Sequence, residues 1–412
     1  MKKITVLGGS PLNGEITVSG SKNAALPIIF SCILTKGVSE IENLPDIGDV
    51  RSALSILREM GAAVRRSGDV TYIDTSSLTY VTPSERLVSS IRASTYLLGS
   101  CLSRFGRCDL MPFGGCAFAS RPIDLHLSAC KSFGAQLRRG SLASDGLCGA
   151  NIDLSLPSVG ATVNAILLAA SAKGESRIGG CAVEPHIDAL IAFLNSCGAD
   201  IKRQDREIFV KGRRLHGGKI RVIGDYVEAG SYLVASLILG GDLSVRGCPT
   251  EDMSAVLDAL RLLGAEIDIR GDCIRARLEG KSRRFKITAE PYPGFPTDLQ
   301  PIFAPLMARF SGGEIEDTVW PTRFGYLKTL SSFGVDSAVF GSRAIVYPSR
   351  PRPAVCTAPD LRGGFSCLML ALLAEGESVI SSADIILRGY ADLEKKLSSA
   401  GARIKIEKTN FT

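Results

Sequence analysis

Residues 253–269 read MSAVLDALRLLGAEIDI, and their pattern decides the fold. Met253, Leu257, Leu260 and Leu263 recur at the period of a helix with one buried face. Gly264 stands where a helix C-terminus favours a left-handed residue, and a short strand-like run follows it. The same stop occurs at Met60-Gly61-Ala62, Phe133-Gly134-Ala135, Cys197-Gly198-Ala199, Phe333-Gly334-Val335 and Ala400-Gly401-Ala402. Successive glycines lie 64 to 73 residues apart, so the chain is an internal array of six repeats.

Each repeat opens with a different helix, apolar nearly all round: AALPIIFSCIL (24–34), STYLLGSCL (94–102), TVNAILLAASA (162–172), SYLVASLIL (231–239), LQPIFAPLMARF (299–310) and FSCLMLALLAEG (365–376). A helix apolar on every side belongs in an interior. The repeat therefore reads as buried helix, strand, surface-facing helix, glycine stop, and strand or hairpin. Single cores stop growing near roughly 250–300 residues, so 412 residues imply two α/β domains of three repeats each. The predicted domains are 21–222, and 1–20 together with 223–412, the first strand pairing with the second half.

Lys and Arg number 48 and Asp and Glu 42, a net charge of +6, too mild for a nucleic-acid binder and consistent with spare arginines for a small anion. No stretch approaches the roughly 20 apolar residues of a membrane span, and the N-terminal apolar run is too short for a signal peptide. The twelve cysteines include no CxxC pair and the three histidines are scattered, which argues against zinc. Reduced thiols in a cytoplasm are expected, most of them packed in the core. No metal or organic cofactor is called for, and the oligomeric state is left open.

The chemistry appears at the starts of the buried helices, where unpaired N–H groups and the positive dipole end suit an anion. These starts are Gly20-Ser21-Lys22-Asn23, Ser90-Ile91-Arg92-Ala93-Ser94, Pro157-Ser158-Val159-Gly160-Ala161-Thr162, Tyr226-Val227-Glu228-Ala229-Gly230, Pro296-Thr297-Asp298 and Asp360-Leu361-Arg362-Gly363-Gly364. Parallel helices would turn three such ends from each domain into one anion-attracting cleft. Ser21, Ser158, Thr297 and Asp298 are equally well explained as caps. Lys22 and Arg92 are not, because a cation in a first turn opposes the dipole. Residues 112–126, PFGGCAFASRPIDLH, form a glycine-rich loop with Cys116 at its tip and Arg121 five residues on. A thiol near a cation ionises more readily and can transfer protons beside a bound anion. Asp124 reads as a cap for the helix beyond, and Arg323 and Arg388 each stand between a strand and an amphipathic helix. No Walker loop, GxGxxG, HExxH or GxSxG motif is present.

At these residues the chain resembles the UDP-N-acetylglucosamine 1-carboxyvinyltransferase family of enolpyruvyl transferases. The resemblance spans essentially the whole chain and is carried by SGSKNAALPI, NLPDIGDVRSALSILREMGA, GGCAFASRPIDLHL, PSVGAT, PYPGFPTDLQP, TRFGYL, DLRGG and RGYADLEKKL, in that order. It implies a two-domain inverted α/β barrel and transfer of an enolpyruvyl group from phosphoenolpyruvate to the sugar 3′-hydroxyl, with loss of phosphate. By motif it makes Asp298 the base, Cys116 the loop acid and fosfomycin target, and Lys22, Arg121 and Arg388 the phosphate binders. Arg92, Arg323 and Arg362 become further cleft cations, the last two nearest the carboxylate. Asn23 and Asp298 would meet the sugar, with Val319 also in the nucleotide-sugar site. Pro122, Asp124, Leu125 and His126 would surround uracil, and Ser158, Val159 and Gly160 would serve the diphosphate.

The chain departs from the family pattern at AFAS in the loop and at Leu156, His186 and Tyr226, none of them a proposed acid, base or phosphate arginine. Two rivals differ in sequence terms. The 5-enolpyruvylshikimate-3-phosphate synthases prefer SKS followed by an arginine, where this chain has Lys22-Asn23 and then Pro27, and they lack the loop cysteine. A non-catalytic sugar-nucleotide sensor would fit Tyr226 and His186, but not the intact Cys116, Asp298 and arginines.

Overall fold

The computed structural model describes residues 1–114 and 122–408. All six repeats are present. The apolar helices are Lys22–Ser31, Leu97–Phe105, Val159–Ser171, Tyr226–Leu239, Gln300–Arg309 and Leu361–Leu373. In Val159–Ser171, every residue from Ala161 to Ala170 is buried, as the lack of a polar face requires. The amphipathic helices end at the six glycines, whose φ angles lie between 86° and 106°. That left-handed turn is nearly free for glycine and costly for a residue with a Cβ.

Two elements differ from expectation. The second apolar helix becomes α-helical only at Leu97, preceded by a 3-10 turn over Arg92–Tyr96. There the Ser94 hydroxyl bonds to the carbonyls of Val88 and Ile91 and the Thr95 hydroxyl to that of Arg92, competing with the helical ladder. The fifth amphipathic helix shrinks to Leu327–Leu330 and a 3-10 turn Ser331–Phe333, because Pro321 and Gly325 leave little helix-forming sequence before it.

Among the described residues five four-stranded sheets share one plan, while the sheet of Arg107–Asp109, Ser141–Ala143 and Gln136–Arg138 is wholly antiparallel and three-stranded. Phe285–Ala289 pairs in parallel with Gly313–Asp317, which then pairs antiparallel with one strand of a hairpin, Ser337–Phe340 and Arg343–Val346. The apolar helix Gln300–Arg309 is the crossover between the parallel pair. Two sheets exchange their first strand: Gly14–Thr17 pairs with Leu243–Arg246, and Lys219–Arg221 pairs with Val38–Glu42.

Two compact units result, one of residues 1–19 with 224–408, the other of residues 20–114 with 122–223. In the first, the helices Tyr226–Leu239, Gln300–Arg309 and Leu361–Leu373 supply a continuous core from Tyr232 and Phe303 to Phe365 and Leu368. Burying each such side chain is worth about 1.5–3 kcal/mol. Within each unit a helix pair runs parallel. Thr95, Gly99 and Ser103 bond to Asn164, Asn164 and Leu167 in turn, while Arg362 and Ser366 bond to Asp298 and Pro301. Ascending partners on both sides require that direction, so the N-termini of each pair lie side by side. No helix among the described residues is long and apolar enough to cross a membrane.

Candidate active site

The unit of residues 1–19 and 224–408 brings three of the expected residues together, two arginines around the Asp298 carboxylate. Asp298 precedes the helix Gln300–Arg309, and its Oδ1 accepts from Arg323 Nη1 at 2.9 Å. Its Oδ2 accepts from Arg362 Nη2 at 3.2 Å. The side chain of Asp298 keeps 28% exposure while those of Arg323 and Arg362 keep 4% and 1%, so the carboxylate faces outward from a cationic floor. Two guanidinium groups on one carboxylate are charge-assisted contacts that fix its orientation.

That floor is itself braced. Arg323 Nη1 also donates to the carbonyl and hydroxyl of Thr297, and the Arg323 carbonyl accepts from Gln300 Nε2. The Thr297 hydroxyl donates to buried Asp317 at 2.6 Å. Asp317 takes the Val319 and Trp320 amides as well, and burial still raises its pKa above the usual carboxylate value. Arg362 is placed by its helix start, where Asp360 Oδ1 accepts from the Arg362 and Gly363 amides. Arg388 ends the 3-10 helix Ala383–Arg388 and is half-buried.

In the other unit, Lys22 opens its helix with Nζ 3.8 Å from Oδ2 of Asp49, a buried residue in the first turn of Gly48–Glu59. Asn23 is half-buried beside it. A second cluster forms where Arg92 Nη2 donates to the Pro122 carbonyl at 3.1 Å. His126, 5% exposed, bonds through Nδ1 to Asn164 Nδ2 at 2.7 Å. Burial, then the Arg92 charge, push its pKa down to about 4, with Asp124 acting the other way. The ring lies so close to Gly160 that a Cβ there would come within 2.6 Å of Cε1. Gly160 sits in the first turn of Val159–Ser171, and the Ser158 hydroxyl accepts from the Ala161 amide at 3.3 Å. Pro122 and Asp124 are exposed and Leu125 half-buried, so this helix start presents backbone, hydroxyl and imidazole groups together. Cys116 and Arg121 lie outside the described residues.

The cap readings divide. Ser158 is a cap, as are Asp225 and Asp360. Ser21 makes no capping bond, Thr297 and Asp298 are engaged by Asp317 and the arginines, and Asp124 is the first helical residue with no cap contact. The competing partner wins in the Thr297 and Asp298 cases because a charged or buried group makes the stronger hydrogen bond. His186 and Tyr226 are buried at helix starts, whereas Leu156 is 62% exposed.

Asp317, Asp49 and Asn164 contact the candidate residues Thr297, Lys22 and His126, and sequence reasoning misses them. Asn164 carries a signal, a lone amide inside an otherwise apolar helix. Asp317 and Asp49 lie among ordinary polar residues, and only the fold brings them to Thr297 and Lys22.

Comparison with known proteins gives a uniform picture. The family described as EPSP synthase (3-phosphoshikimate 1-carboxyvinyltransferase) matches residues 6–397. A UDP-N-acetylglucosamine 1-carboxyvinyltransferase of Halothermothrix orenii is 37% identical over 412 residues, covering 98% of this chain and 99% of the relative. A UDP-N-acetylglucosamine 1-carboxyvinyltransferase 2 of Streptococcus thermophilus is 35% identical over 418 residues, covering 98% and 99%. Among solved structures, the enolpyruvyl transferase NikO from Streptomyces tendae superposes with a TM-score of 0.89 at 27% identity, covering 99% of both chains. EPSP synthase from Acinetobacter baumannii shares the fold at a TM-score of 0.71 and 18% identity, covering 99% of this chain and 100% of that one.

Proposed function

We propose, from the premise that the chain belongs to the UDP-N-acetylglucosamine 1-carboxyvinyltransferase family of enolpyruvyl transferases, that it transfers the enolpyruvyl group of phosphoenolpyruvate to the 3′-hydroxyl of UDP-N-acetylglucosamine. The observation that supports this most is Asp298, a partly exposed carboxylate fixed between two buried arginines at a helix start. A fixed carboxylate can take the proton of an attacking hydroxyl, and neighbouring cations stabilise the charge that builds on a phosphorylated, carboxylated donor.

In this reading Asp298 removes the hydroxyl proton as the sugar oxygen bonds to C2 of phosphoenolpyruvate. The C2–C3 electron pair takes a proton at C3, for which Cys116 is the proposed acid. Loss of a C3 proton then re-forms the double bond, the C2–oxygen bond to phosphate breaks, and inorganic phosphate leaves. Lys22, Arg121 and Arg388 would hold the phosphate, and Arg323 or Arg362 the carboxylate. Arg92, Asn23, Pro122, Asp124, Leu125, His126, Ser158, Val159, Gly160 and Val319 would serve the sugar nucleotide. The product would enter peptidoglycan precursor synthesis in the cytoplasm.

The test is phosphate release. It should require both phosphoenolpyruvate and UDP-N-acetylglucosamine, and Asp298→Ala should lower kcat by roughly 10²–10⁴-fold. Release with shikimate 3-phosphate in place of the sugar nucleotide would assign the chain to the other branch, and full activity in Asp298→Ala would remove the base. Fosfomycin should inactivate the wild type irreversibly and leave Cys116→Ser untouched; modification at another cysteine would reject the role of Cys116.

A further inference from the structure

We propose that Tyr390 is a positioning residue that fixes Asp298 by holding Arg362 from beneath. The inference rests on the reading of Asp298 as the base. Arg362 is almost wholly enclosed, yet of its side-chain nitrogens only Nη2 reaches a hydrogen-bond acceptor, Asp298, among the described residues. Nε and Nη1 are buried with no acceptor among those residues. Such a group is costly unless something else compensates its charge. The Tyr390 side chain does so beside the charges of Asp298 and Asp225, its ring centroid lying 5.3 Å from Arg362 Cζ, within the range where an aromatic face attracts a cation.

The ring is held on its own account. It stacks on Phe365, one turn along the helix from Arg362, at 4.3 Å between centroids and 18° between planes. Its hydroxyl lies 2.8 Å from the Ser231 hydroxyl on the helix Tyr226–Leu239. Ser231 already donates to the Val227 carbonyl at 2.7 Å, so the Tyr390 O–H is the donor of the pair. The series Ser231, Tyr390, Arg362, Asp298 thus links two buried helices to the outward carboxylate. The ring sets where the guanidinium lies, and the guanidinium sets where Oδ2 of Asp298 points.

The experiment measures kcat and both KM values for Tyr390→Phe and Tyr390→Met, each alone and combined with Asp298→Asn. Phe keeps the aromatic face and should retain kcat within about twofold. Met loses it and should lower kcat by about fivefold to tenfold, with both KM values within about twofold of wild type. Combined with Asp298→Asn, the Met variant should show no further loss, because residues acting through one group are not additive. An equal loss in both backgrounds, an effect confined to KM, or a Phe variant as impaired as Met would overturn the inference. If Tyr390→Met does not fold, Tyr390→Leu reads the same link, since it also removes the ring while filling part of its space. Its loss in kcat should vanish beside Asp298→Asn, and a loss that persists overturns the inference. A wild type that releases no phosphate would end the enzymatic reading itself, an outcome distinct from all of these.

Discussion

At His126 a single proton links the cluster to stability. The folded imidazole titrates near pH 4, against about 6.5 for an ordinary histidine. As pH falls from neutral the unfolded chain takes up the proton first, so the contribution is complete above about 6.5 and is lost on the way to 4. The full difference is roughly 3 kcal/mol, about 2 of it expressed by pH 5. Between pH 7 and pH 5 the wild type should lose about 2 kcal/mol more unfolding free energy than His126→Gln, read from urea transitions. Equal losses would show that His126 titrates normally. Only part of this is legible in the chain. The residue type and its loop are visible, but the low pKa needs the burial that the fold imposes and then the Arg92 charge, which reaches it from another element. Asp298 shows the same limit from the other side. Asp before a helix looks like a cap, and its two arginines, 25 and 64 residues away, decide otherwise.

A helix can be tested at either end. Asp360 accepts from two amides at the start of Leu361–Leu373, so Asp360→Ala should cost about 1 kcal/mol while Asp360→Asn, also a good cap, stays near wild type. Thermal unfolding of the two variants separates the cap from charge alone; equal destabilisation would mean that charge matters and the cap does not. At the other kind of terminus, Gly264 has φ of 106° with no side-chain or backbone atom nearer than 3.7 Å to an added Cβ. Gly264→Ala should therefore lose about 1–2 kcal/mol for backbone conformation alone, whereas exposed Gly325, with no positive φ and open space around it, should accept alanine neutrally. A neutral Gly264→Ala would remove the conformational reason for the repeated stop. Such signals are local, which is why the six apolar helices and six glycines are legible in the order of residues alone. The 3-10 turn at Arg92–Tyr96 is not, because it depends on hydroxyls bonding back to carbonyls, a choice that composition does not announce.

Across the whole chain, the exchanged strands make the two units unequal in what they need from the N-terminus. Residues 20–223 contain both partners of every strand pair in their sheets, including Lys219–Arg221 beside Val38–Glu42. Residues 224–412 do not. Lys2–Leu7 lies between Glu377–Ser381 and Arg403–Lys408, antiparallel to both, and Gly14–Thr17 completes the sheet of Leu243–Arg246. Ile4, Val6 and Leu12 are fully buried there and Ile16 and Val18 nearly so. At about 1.5–3 kcal/mol each, these five side chains approach the whole 5–15 kcal/mol by which a typical domain is stable. A fragment of residues 20–223 should therefore fold alone with a cooperative thermal transition. A fragment of residues 224–412 should show no such transition until a peptide of residues 1–19 is added, when strand content by circular dichroism and the transition should appear together. Cooperative unfolding of 224–412 without the peptide would mean that the repeats, not the borrowed strands, carry its stability. The order of residues can point to the early strand as a partner of the second half, because it precedes the first repeat and is left over from it. It cannot show that this strand lies inside a sheet, where losing it leaves unpaired backbone on two neighbours at once.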